Sequence, residues 1–496
     1  AGNINELTGF NSNGFGVTSS GYINDTFNMA SWTFRKKSGF FDCVTWSGDN
    51  STNRQISHSL SGPVGMIILK CTSHATNWTV FHTSLGGTKR LVLNRGDISV
   101  QTSQEYWNNT NPTSTNFTVG GSGDNNATGR TYVAYLFADN SAEDAEDQMI
   151  KCGSYTGTGA SVGASVTLGW EPQFVLVKAA TAAGSWAMMD TMRGIPNNAD
   201  NPTLFADTDA AEVSQANWLE INSTGFKTLN GNYANGNASG VTYIYMAIRA
   251  PMMVEPEAAT DVFHVDTNNN SDNPTVNAPF PIDTYIYKDT TGGAALTASR
   301  LTQGERLQIS STGASSVMAQ YVFDYQNAAH AAVLGVNLYN YAWKRAKGYF
   351  DVVCYKGTGV GGRTQAHSLG VAPEMMWVRR RDGGGGNWMV YHTGMGNTSR
   401  VVLNSASQLG TSITYWNDTS PTDSVFTVGS SSDVNASNLN FISYHFATLD
   451  GISKVGSYTG NGSNQTIDCG FSAGSRFILI RRTNVSTSNW YVWDSV

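Results

Sequence analysis

Short apolar runs ending in a basic residue recur along the chain: Met66-Ile67-Ile68-Leu69-Lys70, Phe174-Val175-Leu176-Val177-Lys178, Tyr285-Ile286-Tyr287-Lys288, Met375-Met376-Trp377-Val378-Arg379 and Phe477-Ile478-Leu479-Ile480-Arg481. Short runs of this kind, bounded by turn residues, predict strands buried on both faces. Pro63, Pro172, Pro281 and Pro373 stand six or seven positions before the basic residue in four of the five runs. That is where a strand begins and a missing N–H is tolerated. A second apolar and aromatic strand closes each stretch, at residues 132–137, 243–248 and 441–446, with Tyr341-Ala342-Trp343-Lys344-Arg345 in the middle of the chain. Ser31-Trp32-Thr33-Phe34-Arg35 aligns with this last segment. Gly, Asn and Ser punctuate the runs, so the pattern predicts many short strands joined by tight turns.

The pattern is itself duplicated. Phe41-Asp42 returns as Phe350-Asp351, His58-Ser59-Leu60 as His367-Ser368-Leu369, Trp107-Asn108 as Trp416-Asn417, and Phe117-Thr118-Val119-Gly120 as Phe426-Thr427-Val428-Gly429. Each pair has one offset, 309 (350 − 41, 367 − 58, 416 − 107, 426 − 117). Within it the apolar runs repeat about every 100 residues, the size of one β-sandwich. The expected fold is all-β: tandem sandwich repeats, jelly-roll or lectin-like. Residues 1–37 read as the C-terminal end of a preceding repeat, and 38–140 and 141–251 as two repeats. Residues 252–347 read as a divergent repeat, 348–448 as a copy of 38–140, and 449–496 as the start of a copy of 141–251. A chain that begins and stops inside repeats is expected to be part of a longer polypeptide, because a partial sheet exposes its edge.

Composition narrows the function. Of 496 residues, 14% are charged, against roughly 25% in an average soluble protein, while 40% are hydrophobic and 11% aromatic. The net charge of −7, with no Lys/Arg cluster, argues against nucleic acid as a partner. No apolar stretch is long enough to insert into a membrane as a helix. Cys43, Cys71, Cys152, Cys354 and Cys469 are sparse and unpatterned, and read as buried free thiols.

Candidate chemistry is thin. The recurring acids Asp42/Asp351, Asp124/Asp433 and Asp190/Asp494 have no recurring Glu beside them. Without a second poised carboxylate they read as turn and strand-edge residues, and no catalytic residue is assigned. His58/His367 and His82/His392 recur without a ligand or acid–base partner at fixed spacing, so no metal site is assigned. Asp266-Thr267-Asn268-Asn269-Asn270 carries oxygen side chains like a calcium loop but lacks the Gly and distal Glu of an EF-hand. No cofactor is expected; a bound calcium ion stays open, with no ligands assigned. The most distinctive motif is Trp107-Asn108-Asn109-Thr110-Asn111-Pro112-Thr113, repeated as Trp416-Asn417-Asp418-Thr419-Ser420-Pro421-Thr422. An indole beside amides suits stacking on a sugar ring and bonding its hydroxyls, which makes Trp107, Asn108, Trp416 and Asn417 candidate glycan-binding residues. The competing reading buries each Trp in a sandwich and leaves Asn, Thr and Pro to shape the turn.

These motifs, with Gly-Ser-Tyr-Thr-Gly-x-Gly at 153–159 and 456–462, resemble tandem repeats in tail-fibre-like virion structural proteins of marine bacteriophages, the cyanophage type. The resemblance covers nearly the whole chain and weakens over 252–347. It implies concanavalin-like sandwiches, a location on the virion at the particle surface or tail, and other virion proteins as partners. It also implies a homo-oligomer, as trimers are common among fibres, and contact with a host surface glycan; it carries over no catalytic residues. A cell-surface adhesin or extracellular filament with carbohydrate-binding sandwiches is the alternative, and a glycan-degrading enzyme a more distant one.

Overall fold

A computed structural model describes the chain apart from residues 1–5, 13, 20–22, 25–28, 97–100, 103, 144–146, 162, 196–199, 217, 230, 251–252, 268–275, 303, 318–320, 326–327, 331–337, 408, 485–487 and 496. The fold is all-β: antiparallel strands, with helix limited to single turns among the described residues. Among the described residues, four six-stranded sheets follow one another, one inside each of the stretches 38–140, 141–251, 252–347 and 348–448. All four share one strand order. In the first, Phe41–Ser47 pairs with Thr131–Ala138, which pairs with Val64–Cys71, followed by Thr79–His82, Lys89–Val92 and Gln101–Thr102. A small second sheet lies within each of the same stretches, such as Arg54–Ser57 with Asn116–Val119.

The hydrophobic pattern explains the positions. The apolar run and the closing strand lie side by side in the interior of the large sheet, so both need apolar residues on both faces. In register, Tyr135 stands between Cys43 and Ile68, and Leu136 between Asp42 and Ile67. Pro63 immediately precedes its strand, and Pro172 opens the equivalent one beside a register shift, sparing the ladder an absent donor.

Two expectations need correction. The 31–35 stretch, expected to match the closing strand, forms no strand. Its counterpart Leu338–Trp343 is held between Phe263–Asp266 and Thr284–Asp289, and no described strand flanks 31–35 in that way. Cys43 is exposed and Cys469 half-buried, although Cys71, Cys152 and Cys354 are buried. Strand alternation turns Cys43 outward, between the buried pair Phe41-Asp42 and buried Trp46.

The sheets are separate, but their cores are not. One continuous apolar cluster runs from Val166 and Trp218 through Leu301 and Trp343 to Trp377 and Tyr444, crossing three successive units. A second joins Leu69 and Trp107 of the 38–140 unit to Phe174, Trp186 and Ile244 of the next. The repeats are therefore fused by side-chain packing between discrete sheets.

Candidate functional site: loops, buried polar groups and unit junctions

The two glycan-site loops share one geometry. A single helical turn, Gln104–Trp107 or Ile413–Trp416, ends in consecutive left-handed residues, Asn108 (φ 49°) and Asn109 (φ 55°) or Asn417 (φ 54°) and Asp418 (φ 50°). Asn and Asp tolerate this conformation better than other side chains, which accounts for the residue types that follow Trp. The chain then turns back through Thr113 or Thr422, whose hydroxyl accepts the N–H of Asn116 or Val425 at 3.0 Å, into a strand of the small sheet. Next comes Gly120 or Gly429. A Cβ there would lie 2.2 Å from the Glu105 carbonyl oxygen or 2.1 Å from that of Thr414, so the close approach demands glycine.

Both indoles point inward. Trp107 and Trp416 are each 1% exposed, edge-on to Phe81 at 5.8 Å and Tyr391 at 5.8 Å. Trp416 donates its N–H to the Ser399 carbonyl at 2.9 Å. Neither ring has a face open to a sugar, which corrects the stacking expectation. Large apolar area at the centre of a sandwich is worth more buried than displayed. Asn108 and Asn417 remain half-exposed beside the open turn residues Asn109, Thr110, Asp418 and Thr419.

The recurring acids are structural ties. Asp42 accepts the backbone N–H groups of Cys43 (2.8 Å) and Ser59 (2.6 Å) and pairs with Lys36 at 2.7 Å. Asp351 repeats this with Val352 (2.8 Å), Ser368 (2.7 Å) and Arg345 (2.7 Å). Asp124 and Asp433 accept the N–H of Asn77 (3.4 Å) and Asn387 (2.8 Å), fixing the turns before Trp78 and Trp388. His58 and His367 each accept, at Nδ1, the backbone N–H two residues on, from Leu60 and its counterpart Leu369. His82 is buried and shares a 3.0 Å hydrogen bond with the Tyr245 carbonyl of the next unit; burial depresses its pKa to about 4. The calcium-like run lies mostly outside the described residues, at 268–270.

One grouping was not visible in the sequence. Ser443 and His445 replace the apolar Ala134 and Leu136 of the first copy, and their side chains share a 2.7 Å hydrogen bond. Asp351 faces His445 in register on the neighbouring strand, and the His367 ring stands edge-on at 5.2 Å. Ser, His and Asp thus meet, but each is fully buried, and burial holds the His445 pKa down at about 3. A nucleophile needs access to its substrate, and this trio has none.

The junctions carry the most regular chemistry. The Trp186 indole N–H reaches the Val92 carbonyl of the preceding unit at 2.9 Å, Trp388 reaches Gln308 at 3.0 Å, and Trp490 reaches Val402 at 3.0 Å. In the same three units the basic residue ending the apolar run works alongside. Lys178 donates to Gly184 in its own unit and to Gly96 of the preceding one at 3.2 Å. Arg379 does the same with Gly386 and Gly313, and Arg481 reaches Val402, Ser405 and Ser407. At the divergent unit the tie differs: Arg345 forms a bidentate pair with Glu171, both bonds 2.8 Å, while its Nε holds Asp351. Three units meet at this one guanidinium. Two hollows in these junctions, one lined by Trp343, Trp377 and Trp388 and one by Glu171, Ile221 and Cys354, have no room for a sugar ring.

The chain belongs to the family described as "domain of unknown function (DUF7483)", which matches residues 1–251 and 298–496. The unmatched stretch holds the divergent apolar run and Ala295, which stands where the other units place their junction Trp. No curated protein matches the chain.

Proposed function

We propose that the chain is a virion structural protein, a tail-fibre-like or other particle-surface component that contacts host surface glycans through exposed loops. The observation that carries this reading is the repeated junction clamp. Trp and a basic residue in each of three units bond carbonyls of the preceding unit, so the repeats form a continuous body rather than beads on linkers. A body of that kind suits a protein whose task is to span distance and hold shape. Low-affinity contacts at its half-exposed Asn108 and Asn417 turns would gain strength from copy number on a particle. Other virion proteins are the expected partners.

Electron cryomicroscopy of native particles carrying the chain tests the assignment. Density for the sandwich array at the tail or capsid surface is the expected result. Finding the same array on a cell-surface filament without a virion would overturn it in favour of an adhesin.

A further inference from the structure

The 38–140 and 348–448 units differ on one surface. Along the small-sheet strand Arg54–Ser57, buried Ile56 alternates with exposed Gln55 and Ser57, and Ser57 stands opposite Asn116. In the second copy Gln365 is buried, Thr364 is exposed, and Ala366 stands opposite Val425. The inward residues are kept: Phe117 and Phe426, Val119 and Val428, Trp107 and Trp416. The outward ones are not. Asn53, Gln55, Ser57 and Asn116 occupy the places of Gly362, Thr364, Ala366 and Val425.

The second copy forms the same sheet without any of the four, so the sheet does not require them. Asn at 116 is moreover a poor strand residue where Val425 is a good one. Gly362 and Thr364 stay exposed with both preceding units in place, so this surface lies outside the junctions. In the first copy Asn108 Nδ2 donates to Asn53 Oδ1 at 3.1 Å. That leaves the Asn108 carbonyl oxygen to accept and the Asn53 amide nitrogen to donate, side by side. Ser57 Oγ donates to Asn116 Oδ1 at 2.9 Å, and Asn116 Nδ2 to Thr115 Oγ1 at 3.0 Å, which fixes a second amide. Gln55, between them in sequence, makes no side-chain hydrogen bond among the described residues.

We propose, resting on the glycan contact put forward above, that this amide face of the 38–140 unit is a binding site for a neutral glycan. One hydroxyl of a sugar ring donates to Asn108, its neighbour accepts from Asn53, and Gln55 reaches a further hydroxyl. The occupant follows from the charge of the face. Its outward groups are uncharged donors and acceptors, and the adjacent Arg54 is already paired with Asp49 at 3.3 Å, which leaves no net charge to hold an acidic sugar.

Bio-layer interferometry on the full chain reads the site, with immobilised mannan and dextran as neutral polysaccharides and heparin as an acidic one. Binding to at least one neutral polymer and none to heparin is expected. Exchanging the face for its second-copy counterpart, Asn53→Gly, Gln55→Thr, Ser57→Ala and Asn116→Val together, should weaken that binding about tenfold or more at an unchanged thermal midpoint. Gln55→Thr alone, at an exposed side chain with no bond to lose, should weaken it several-fold, so a folding defect in the fourfold variant leaves the test intact. No binding to either neutral polymer, or binding to heparin alone, overturns the proposal. Binding that survives the fourfold exchange also overturns it, and leaves the Asn108 and Asn417 turns as the glycan contact; the place of the chain on a particle is decided separately by microscopy.

Discussion

Tyr341 donates its phenol hydroxyl to the Asp494 carboxylate at 2.7 Å, two units further along the chain. The same relationship occurs in the first copy, where the Trp32 indole N–H reaches Asp190 at 3.2 Å. The aromatic side chains also pack alike: Tyr341 lies 5.3 Å from Phe477, and Trp32 lies 5.9 Å from Phe174. Phe477 and Asp494 are cross-strand partners, as are Phe174 and Asp190. A neighbouring pair on one sheet, one apolar and one acidic, thus receives an aromatic donor from the unit before last. Tyr341→Phe keeps the ring contact and removes the hydrogen bond, so urea denaturation should show a loss of about 1 to 2 kcal/mol.

Arg345 should be the most costly junction side chain to remove. Arg345→Met leaves Glu171 and Asp351 without their cation in a closed junction. The expected loss is about 3–5 kcal/mol. Because the apolar cluster spans three units, hydrogen exchange should accelerate in all three rather than in one.

The loop glycines make a sharper test of geometry. Gly429→Ala puts a methyl group 2.1 Å from the Thr414 carbonyl oxygen, and Gly120→Ala 2.2 Å from that of Glu105. Each should lower the midpoint of thermal unfolding. Gly429→Ala should also loosen the Trp416 environment, read as a shift in tryptophan fluorescence.

Asn417 separates turn geometry from side-chain chemistry. With φ at 54°, Asn417→Ala should cost about 1 kcal/mol, and Asn417→Gly far less. If the amide contacts a glycan, both variants should lose binding on a glycan array despite their different stabilities.

Acid should destabilise the fold. His82 and His445 stay neutral when folded, with pKa values near 4 and 3, while the unfolded chain takes up the protons below about 6.5. Their stabilising contribution is complete above that value and declines as pH falls towards the folded values. At pH 5 each should have lost up to about 2 kcal/mol. Asp351, whose pKa lies below the usual range despite burial because Arg345 stands beside it, adds a loss at lower pH. Buried Glu220 and half-buried Asp283, both raised by desolvation, act in the opposite sense. Thermal melts from pH 7 to pH 4 check the slope, and His445→Leu, matching Leu136 of the first copy, should flatten it.

Much of this fold was legible because β-structure writes itself locally. The apolar runs, the closing strands and the strand-leading prolines are set by near neighbours in a sheet, and the 309-residue offset exposed the duplication directly. The turn motif was equally legible as a motif, yet its meaning was not. Trp107 and Trp416 are compatible with a sugar platform or a core, and only their packing against Phe81 and Tyr391 in the folded unit decides between them. Lys178, Arg379 and Arg481 are legible as the ends of apolar runs, but their partners, carbonyls in the preceding unit, lie too far along the chain for spacing to suggest.

The amino-acid sequence by itself determined the all-β class, the duplication and the places of the apolar and closing strands, all of which follow from interactions between residues close in the chain or in adjacent strands. The tertiary structure alone decided what those units do to one another: the shared cores, the clamps, the three-unit ion cluster at Arg345 and the burial of both indoles. The physical reason is the range of the contacts. A sheet is built from neighbours a few residues or one hairpin apart, but a junction brings together groups such as Tyr341 and Asp494, 153 residues apart, whose meeting no local pattern encodes.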